Sequence, residues 1–253
     1  MAQAIALNRE PMSGDHHRQL MPVEKTALVT GANRGIGLEV SRQLARKGFR
    51  VFLTARDHVA GSKAAALHQE GGKVSFVELD VANPDSIRRA AKEVAGATDH
   101  LDALINNAGV LPESDSDVLQ TDPETLLQTI NTNALGPLRV VQAFTPLLAR
   151  SNSGRIINVS SGAGALHDME NYAPAYSISK TALNAVTRQL AAAFKNKGVT
   201  VNSLSPGWVR TDMGGSGAPR SVEQSADGIV WLATEAPEDL TGQFIQDGKT
   251  IPW

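Results

Sequence analysis

The chain has 253 residues and a mass of 26.8 kDa, which is enough for one large domain or two small ones. Hydrophobic residues make up 42% and charged residues 20%, as in chains that bury a core, and the formal net charge of -2 disfavours nucleic-acid binding as the main function. Because the chain has no cysteine, it can form no disulfide or cysteine metal site, and because no apolar run approaches roughly 20 residues, we predict no membrane span.

The start of the chain differs from the rest. Residues 1–24 show no sustained periodicity and lack the apolar core of a signal peptide. We therefore predict a flexible N-terminal extension over residues 1–24 and one domain over residues 25–253. His16 and His17 could bind a metal ion, but a solvated tail is the better interpretation, and we expect no metal site in the protein.

From Lys25 onward, short apolar runs alternate with segments of helical periodicity. The predicted strands are, in chain order, 26–30, 50–55, 73–79, 101–105, 155–159, 199–204 and 243–246. The predicted helices are 36–47, 59–70, one that begins at Asn83, 122–148, 173–197 and 222–234. This alternation predicts βαβ units and hence an α/β fold, a doubly wound parallel sheet of about seven strands with helices on both faces.

A glycine-rich turn separates the first predicted strand from the first predicted helix. Residues 30–37 read Thr-Gly-Ala-Asn-Arg-Gly-Ile-Gly, so three glycines follow the pattern Gly-x-x-x-Gly-x-Gly. Glycine allows the backbone to approach a ligand closely, and the N-terminus of the helix presents unpaired N–H groups to an anion. A tight strand–helix turn would also explain the glycines. Their position predicts a binding loop for the pyrophosphate of a dinucleotide.

The end of the second predicted strand suggests which dinucleotide binds. A carboxylate there would bind a ribose 2′-hydroxyl, but this chain has Ala55 followed by Arg56. Arg56 and Arg34 of the glycine loop could together bind a 2′-phosphate, which favours NADP(H) over NAD(H). The alternative is that Asp57 pairs with one of these arginines.

Tyr176 and Lys180 are four residues apart in a predicted helix and therefore share one face. A tyrosine ordinarily has a pKa near 10, which is high for proton transfer at neutral pH. A neighbouring ammonium group favours the phenolate, so we expect Lys180 to lower the pKa of Tyr176. An exposed helical pair without function is the alternative. The other tyrosine, Tyr172, has no lysine four residues later.

Four motifs occur together in the chain: Thr30-Gly31-x-x-x-Gly35-Ile36-Gly37, Asn106-Asn107-Ala108-Gly109, Tyr176-x-x-x-Lys180 and Ser205-Pro206-Gly207. Their order and spacing resemble those of the short-chain dehydrogenase/reductases, from about Lys25 to the C-terminus. The glycine loop and residues 53–57 look most like the NADPH-dependent carbonyl-reductase branch. The resemblance implies a single-domain Rossmann-type fold. The segment 161–176 lacks the long insertion of many branch members, which leaves the substrates and the monomeric state of that branch open here.

The resemblance also implies a set of site residues. The catalytic residues would be Asn133, Ser161, Tyr176 and Lys180, with Asn131 and Ser160 as rivals of the first two. Asn106 would be structural. The residues expected to bind NADP(H) are Gly31, Asn33, Arg34, Gly35, Ile36, Gly37, Arg56, Asp80, Val81, Asn107, Ala108, Gly109, Tyr176, Lys180, Pro206, Gly207, Val209 and Thr211.

The segments 161–172 and 208–220 are expected to form the substrate pocket. Their apolar members suit a hydrophobic ketone or aldehyde and are Leu166, Met169, Tyr172, Trp208 and Met213. Residues 214–219 are rich in glycine and predict a small mobile lid or a surface loop. Arg210 and Arg220 could bind an acidic substrate, or could be solvated surface charges.

We therefore expect an NADPH-dependent enzyme that reduces a ketone or aldehyde to an alcohol. The alternatives are an alcohol or steroid dehydrogenase, a 3-oxoacyl thioester reductase, and an NADP-binding scaffold or redox sensor without turnover. The resemblance further implies a cytoplasmic homodimer or homotetramer that acts on a small molecule, with neither a nucleic acid nor a membrane as partner.

Overall fold

The computed structural model describes residues 24–67, 73–113 and 116–253. Of the predicted extension over residues 1–24, only Glu24 lies within these ranges. The end of the predicted helix 59–70 also lies outside them. No helix in the described part of the chain has the length and apolar character needed to cross a membrane.

One sheet of eight strands, in the order β3-β2-β1-β4-β5-β6-β7-β8, runs through the described residues. All neighbouring strands are parallel except the last pair, β7 and β8. The predicted doubly wound parallel sheet is therefore confirmed, and the eighth strand is an addition because two residues are too few to show periodicity. The strands are β1 (Thr26–Val29), β2 (Arg50–Ala55), β3 (Val74–Glu78), β4 (Ala103–Asn106), β5 (Gly154–Val159), β6 (Val199–Leu204), β7 (Phe244–Gln246) and β8 (Lys249–Thr250).

Helices connect the parallel strands and cover both faces of the sheet. Alternate strand residues enter two separate cores: Val29 and Leu53 pack in one, and Leu28 and Leu104 pack in the other. The parallel strands, buried on both faces, are mainly apolar here, as expected, although β6 also buries the polar residues Asn202 and Ser203. The helices are α1 (Gly35–Arg46), α2 (His58–Leu67), α3 (Pro84–Ala95), α4 (Pro123–Ile130), α5 (Gly136–Leu148), α6 (Pro174–Ala193) and α7 (Val222–Thr234).

The single long helix predicted over residues 122–148 is wrong in one respect, because a π-helical turn, Asn131–Leu135, separates α4 from α5. Pro137 has no N–H with which to bond the carbonyl of Asn133, and the N–H of Gly136 instead reaches the carbonyl of Asn131, five residues back. Such π-helical turns are frequent at functional sites. This one contains the fully buried Asn133.

The strand order places a crevice at the carboxyl edge of the sheet. The chain winds outward from β1 in one direction to β2 and β3, and in the other direction from β4 to β7. Ligands of open α/β sheets bind where the winding reverses, here beyond the ends of β1 and β4. The glycine loop follows β1, and residues 107–109 follow β4.

Candidate active site

The glycine loop needs glycine for reasons visible in its contacts. Gly31 has a φ of +62°, and a Cβ there would lie 2.8 Å from the Cα of Ala108. A Cβ at Gly37 would lie 2.5 Å from Nδ2 of Asn107 and 2.7 Å from the carbonyl oxygen of Gly31. Any larger residue at these two positions would push the loop away from the segment after β4.

The N-terminus of α1 fits the pyrophosphate of a dinucleotide. Its cap residue, Arg34, is extended, with φ −161°, and makes no side-chain capping hydrogen bond. The first N–H groups of the helix, beginning at Gly35, therefore have no capping acceptor from the loop, and the positive end of the helix dipole lies at the same place. These donors and the cradle of glycines fit the phosphates of NADP(H).

Asn107, one of the residues expected to bind NADP(H), has a side chain that contacts the glycine loop. Its Nδ2 donates hydrogen bonds to the carbonyls of Thr30, at 2.9 Å, and Gly31, at 3.1 Å. The Thr30 hydroxyl in turn accepts hydrogen bonds from the N–H groups of Asn107 and Ala108. The side chain of Asn107 therefore stabilises the glycine loop. Because that side chain is used in this way, the backbone of residues 107–109 is the part that can line the cofactor.

A tight turn after β3 positions Asp80. Its Oδ1 accepts a hydrogen bond from the N–H of Ala82 at 2.9 Å, and its own N–H donates to Oγ of Ser86 at 3.0 Å. Asn83 caps α3 by accepting from the N–H groups of Asp85 and Ser86. This turn fixes a half-buried carboxylate and the buried Val81, both among the residues expected to bind NADP(H), at the carboxyl edge of the sheet.

The two arginines predicted to bind the 2′-phosphate have different surroundings. Arg56 is exposed directly after β2. Nη1 of Arg34 lies 2.6 Å from Oδ2 of Asp212, in the segment after β6. Asp57 accepts a hydrogen bond from the N–H of Ala60 at 3.0 Å and so caps the start of α2, rather than pairing with either arginine.

Tyr176 and Lys180 lie one turn apart on α6, as predicted. Nζ of Lys180 donates a hydrogen bond to the carbonyl of Val159 at 2.8 Å, and it lies 5.6 Å from the centroid of the Tyr176 ring. Lys180 is buried, and Tyr176 forms a hydrogen bond with Ser161 and lines the main cavity. Of the two residues, Tyr176 thus lines the cavity, and the buried Lys180 lies behind it.

Burial changes the pKa of both residues. It lowers the pKa of Lys180 to about 8, since an ammonium is poorly solvated in the interior. Burial also raises the pKa of Tyr176, and the hydrogen bond from Ser161 opposes this only in part. The predicted lowering of the Tyr176 pKa by Lys180 is therefore wrong for the protein alone, because desolvation of the phenolate dominates.

Asn133 is held from two sides. Its Nδ2 donates to the carbonyl of Val110, at 2.8 Å, and to Oγ of Ser179, at 2.9 Å, and its Oδ1 accepts from the N–H of Val110. The rival Asn131 instead contacts Arg139 and the carbonyl of Ala82. Asn133 is thus the asparagine of the π-helical turn that faces α6, although its contact there is with Ser179 and not with Lys180.

The two candidate serines are clearly separated by their surroundings. Ser161 lines the cavity, and its Oγ caps a short 3-10 turn (Gly162–Gly164) by accepting from the N–H of Ala163 at 3.2 Å. Ser160 is buried, and its Oγ lies 3.4 Å from the carbonyl oxygen of Lys180. Ser161 therefore lies at the cavity surface, and Ser160 is part of the packing between β5 and α6.

An open cavity of about 790 Å³ lies against Tyr176 and Ser161. Of the predicted pocket residues, Met169, Tyr172, Trp208 and Met213 line it. Leu166 was predicted wrongly: its side chain is 65% exposed and does not line this cavity, because it lies just past the 3-10 turn and faces solvent. Five residues predicted to bind the cofactor line the same cavity, so the predicted cofactor and substrate sites adjoin: Ile36, Pro206, Gly207, Val209 and Thr211.

Sequence reasoning missed several residues of this cavity. Asp168, Glu170 and Gln246 line it, and so does Ser205, whose motif was recognised only as a whole. Gly164 was also missed. A Cβ at Gly164 would lie 2.7 Å from Cβ of Lys180, so this glycine permits α6 to approach the 3-10 turn. No pattern in the sequence distinguishes Gly164 from its neighbour Gly162, because its role depends on how α6 packs.

The segment after β6 is ordered by its own hydrogen bonds. Nε1 of Trp208 donates to the carbonyl of Gly214 at 2.7 Å, and the hydroxyl of Thr211 accepts from the N–H of Gly214. Thr211 also lies over the glycine loop, because a Cβ at Gly35 would lie 3.4 Å from its Cγ2. Gly214 of the predicted lid thus contacts Trp208 of the substrate wall, and Thr211, which precedes the lid, lies over the glycine loop.

Comparison with known proteins gives consistent matches over most of the chain. The family model for short chain dehydrogenase matches residues 25–220. Short-chain dehydrogenase RED3 of Pyricularia oryzae is 33% identical over 257 residues, 92% of this chain and 100% of that protein. (+)-Neomenthol dehydrogenase of Arabidopsis thaliana is 34% identical over 269 residues, 82% of this chain and 90% of that protein. The structure of NADPH-bound carbonyl reductase from chicken fatty liver matches with a TM-score of 0.83 and 33% identity, covering 91% of this chain and 94% of that one.

Proposed function

The chain belongs to the short-chain dehydrogenase family, and we propose that it is an NADPH-dependent oxidoreductase that reduces a ketone or aldehyde to an alcohol. The observation that carries this proposal is the placement of Tyr176, which lines the cavity, bonds to Ser161 and has Lys180 one helical turn away. A scaffold without turnover would not need Ser161 and Tyr176 together at the cavity wall with Lys180 buried behind them.

NADP(H) would be held along the carboxyl edge of the sheet. The glycine loop and the N-terminus of α1 would bind the pyrophosphate, and Asp80 with Val81 would meet the adenine. Arg34 and Arg56 would bind the 2′-phosphate, while Pro206, Gly207, Val209 and Thr211 would orient the nicotinamide. The bound cofactor supplies the hydride that is added to the carbonyl carbon.

The residues of the chain supply the proton and the polarisation. Ser161 and the hydroxyl of Tyr176 would both donate hydrogen bonds to the carbonyl oxygen, which becomes more basic as the carbon is reduced. Tyr176 would then transfer its proton to that oxygen, completing the alcohol. Because burial raises the pKa of Tyr176, its hydroxyl holds the proton before reduction but is a weaker acid than a free tyrosine, so its proton transfer would depend on groups that favour the phenolate.

Lys180 and Asn133 would act through their neighbours. Lys180 is fixed by the carbonyl of Val159 and presents a positive charge beneath Tyr176, which favours the phenolate left after proton transfer. Asn133 joins the segment after β4 to α6 through Val110 and Ser179, so it would keep the helix that carries Tyr176 in place.

We also propose that the protein is a cytoplasmic homodimer or homotetramer that acts on a small hydrophobic molecule. The support is an apolar surface around α4 and α6, where Leu127, Leu135 and Ile178 are exposed. Pairing through these helices would remove that surface from water. Sedimentation at micromolar protein tests this, and a single species of 26.8 kDa would contradict it.

Steady-state kinetics test the proposed reaction. NADPH oxidation, followed by the absorbance of the reduced nicotinamide, is measured against a panel of ketones, aldehydes and diketones. Turnover that depends on Tyr176 supports a reductase. Tight NADPH binding without turnover on any carbonyl would favour the scaffold.

A further inference from the structure

The charged residues that line the cavity in the described part of the chain are both acidic. Asp168 and Glu170 lie in the loop between the 3-10 turn and α6, on the same wall as Tyr172 and Tyr176. Both acidic side chains are exposed, and Asp168 has a histidine neighbour, His167, at 3.6 Å. The mouth of the cavity therefore carries negative charge beside the position of the reacting carbonyl.

Arg210 and Arg220, two arginines near the cavity, form hydrogen bonds with groups outside it. Arg220 makes two hydrogen bonds to Asp247, at 2.6 and 2.9 Å. Nη1 of Arg210 donates to the carbonyls of Ala218 and Pro219. These are the two arginines considered for an acidic substrate, and neither lines the cavity. An anionic substrate would thus meet two carboxylates without a guanidinium to balance them.

Two exposed aromatic rings line the same cavity. Tyr172 is 60% exposed and Trp208 is 61% exposed. The hydrogen bond from Nε1 of Trp208 to Gly214 fixes the orientation of its indole. The N–H of Tyr172 donates to the carbonyl of Glu170, so this ring and this carboxylate are held on one turn. Aromatic faces attract cations, and quaternary ammonium groups are often bound in this way.

We propose that Asp168 and Glu170, together with the rings of Tyr172 and Trp208, select carbonyl substrates that carry a cationic nitrogen over those that carry a carboxylate or phosphate. This inference rests on the proposed reductase function. It names two specificity-determining acids that touch the far end of the substrate and take no part in proton transfer. It also disfavours the 3-oxoacyl thioester alternative, whose carrier is anionic.

Three para-substituted benzaldehydes test the proposal. Each has a methylene spacer that insulates the carbonyl from the substituent: one ends in trimethylammonium, one in tert-butyl, its neutral isostere, and one in a carboxylate. Initial rates with NADPH are measured for the wild type, Asp168→Asn, Glu170→Gln and the double variant. Glu93→Gln, an exposed acid on α3 outside the cavity, is the matched control.

We expect kcat/KM in the wild type to fall in the order cation, neutral isostere, anion. Each single variant should lower the ratio of kcat/KM for the cationic aldehyde to kcat/KM for its neutral isostere by about threefold. The effect is modest because both acidic side chains are exposed to solvent. The change should appear in KM and weaken with added salt, and kcat for the neutral isostere should stay near the wild-type value. Equal ratios in the wild type and the double variant would overturn the proposal.

Calorimetry separates this inference from the proposed function. The corresponding benzyl alcohols are titrated into the NADPH complex, where no hydride transfer to them can occur. If the wild type binds the ammonium alcohol more tightly than the neutral alcohol and the double variant does not, charge selection is supported. If in addition no aldehyde is turned over, only the reductase proposal fails. Turnover of the neutral aldehyde without any charge preference in binding would leave the reductase standing and refute the selection.

Discussion

Nη1 of Arg34 lies 2.6 Å from Oδ2 of Asp212, which joins the glycine loop to the segment after β6. Both side chains are about three-quarters exposed, at 73% and 75%. The guanidinium proposed to bind the cofactor phosphate is therefore shared with a carboxylate that lies two residues before the predicted lid. Binding of a 2′-phosphate would have to compete with this ion pair, so cofactor binding and the position of the segment after β6 are linked.

Removing the carboxylate should strengthen NADPH binding. In Asp212→Asn, Arg34 no longer has an anionic partner, and the 2′-phosphate no longer faces a nearby like charge. We expect the Kd for NADPH to fall by about twofold to fivefold, the range of an exposed ion pair, while the Kd for NADH changes little. Fluorescence titration measures both. An equal change for the two cofactors would show that Asp212 acts on the loop and not through the phosphate.

Reversing the charge at Arg56 should change the cofactor preference. Arg56→Asp replaces a phosphate-binding cation with a carboxylate that repels the 2′-phosphate and can bind a ribose hydroxyl. We expect the ratio of kcat/KM for NADPH to that for NADH to fall by at least about tenfold. Arg150→Asp, beyond the end of α5 at the opposite edge of the sheet, is the matched control. An unchanged ratio in Arg56→Asp would remove Arg56 from the phosphate site.

The buried Lys180 should make stability depend on pH. Its pKa is lowered from 10.5 to about 8 in the folded protein, so between these values the unfolded chain binds more protons and stability rises with pH. The difference in free energy of unfolding between the wild type and Lys180→Met should therefore change with pH. It should shift in favour of the wild type by up to about 3 kcal/mol between pH 8 and 10.5, and it should stay constant below pH 7. Urea unfolding at a series of pH values measures the difference. A constant difference across this window would contradict the lowered pKa.

Gly164 should be required for the placement of α6. In Gly164→Ala, the new Cβ would lie 2.7 Å from Cβ and 2.8 Å from the carbonyl carbon of Lys180, so the helix must shift. We expect kcat to fall by about tenfold or more and stability to fall by about 1–3 kcal/mol. Gly96→Ala at the end of α3, where a Cβ would meet its nearest atom at 3.4 Å, is the control. Wild-type kcat in Gly164→Ala would mean that α6 tolerates displacement.

Much of the fold could be predicted because local patterns and short connections dominate it. The alternation of apolar runs and helical periods predicted the parallel sheet, and the family match confirmed the resemblance drawn from four motifs. The π-helical turn was missed because its hydrogen bonds depend on how α5 begins at Gly136 and Pro137. Helical periodicity continues through such a turn with little change.

The site was predictable only where a motif carries it. The placement of Tyr176 and Lys180 follows from their motif, and Ser161 from the family resemblance, whereas the ion pair between Arg34 and Asp212 joins residues 178 positions apart. The raised pKa of Tyr176 depends on burial by several elements, which no spacing reveals. Leu166 was misplaced for a related reason, since apolar character alone does not show which side of a loop a residue faces.

The role of Tyr176 is the central claim, and its most direct test is single-turnover reduction of a reactive aldehyde by the preformed NADPH complex. Tyr176→Phe keeps the ring and removes the proposed proton donor, and Tyr172→Phe removes the hydroxyl of the second tyrosine that lines the cavity. We predict that Tyr176→Phe lowers the rate of hydride transfer by at least about a hundredfold with little change in the Kd for NADPH, and that Tyr172→Phe lowers it far less. A rate for Tyr176→Phe close to that of the wild type would contradict the account.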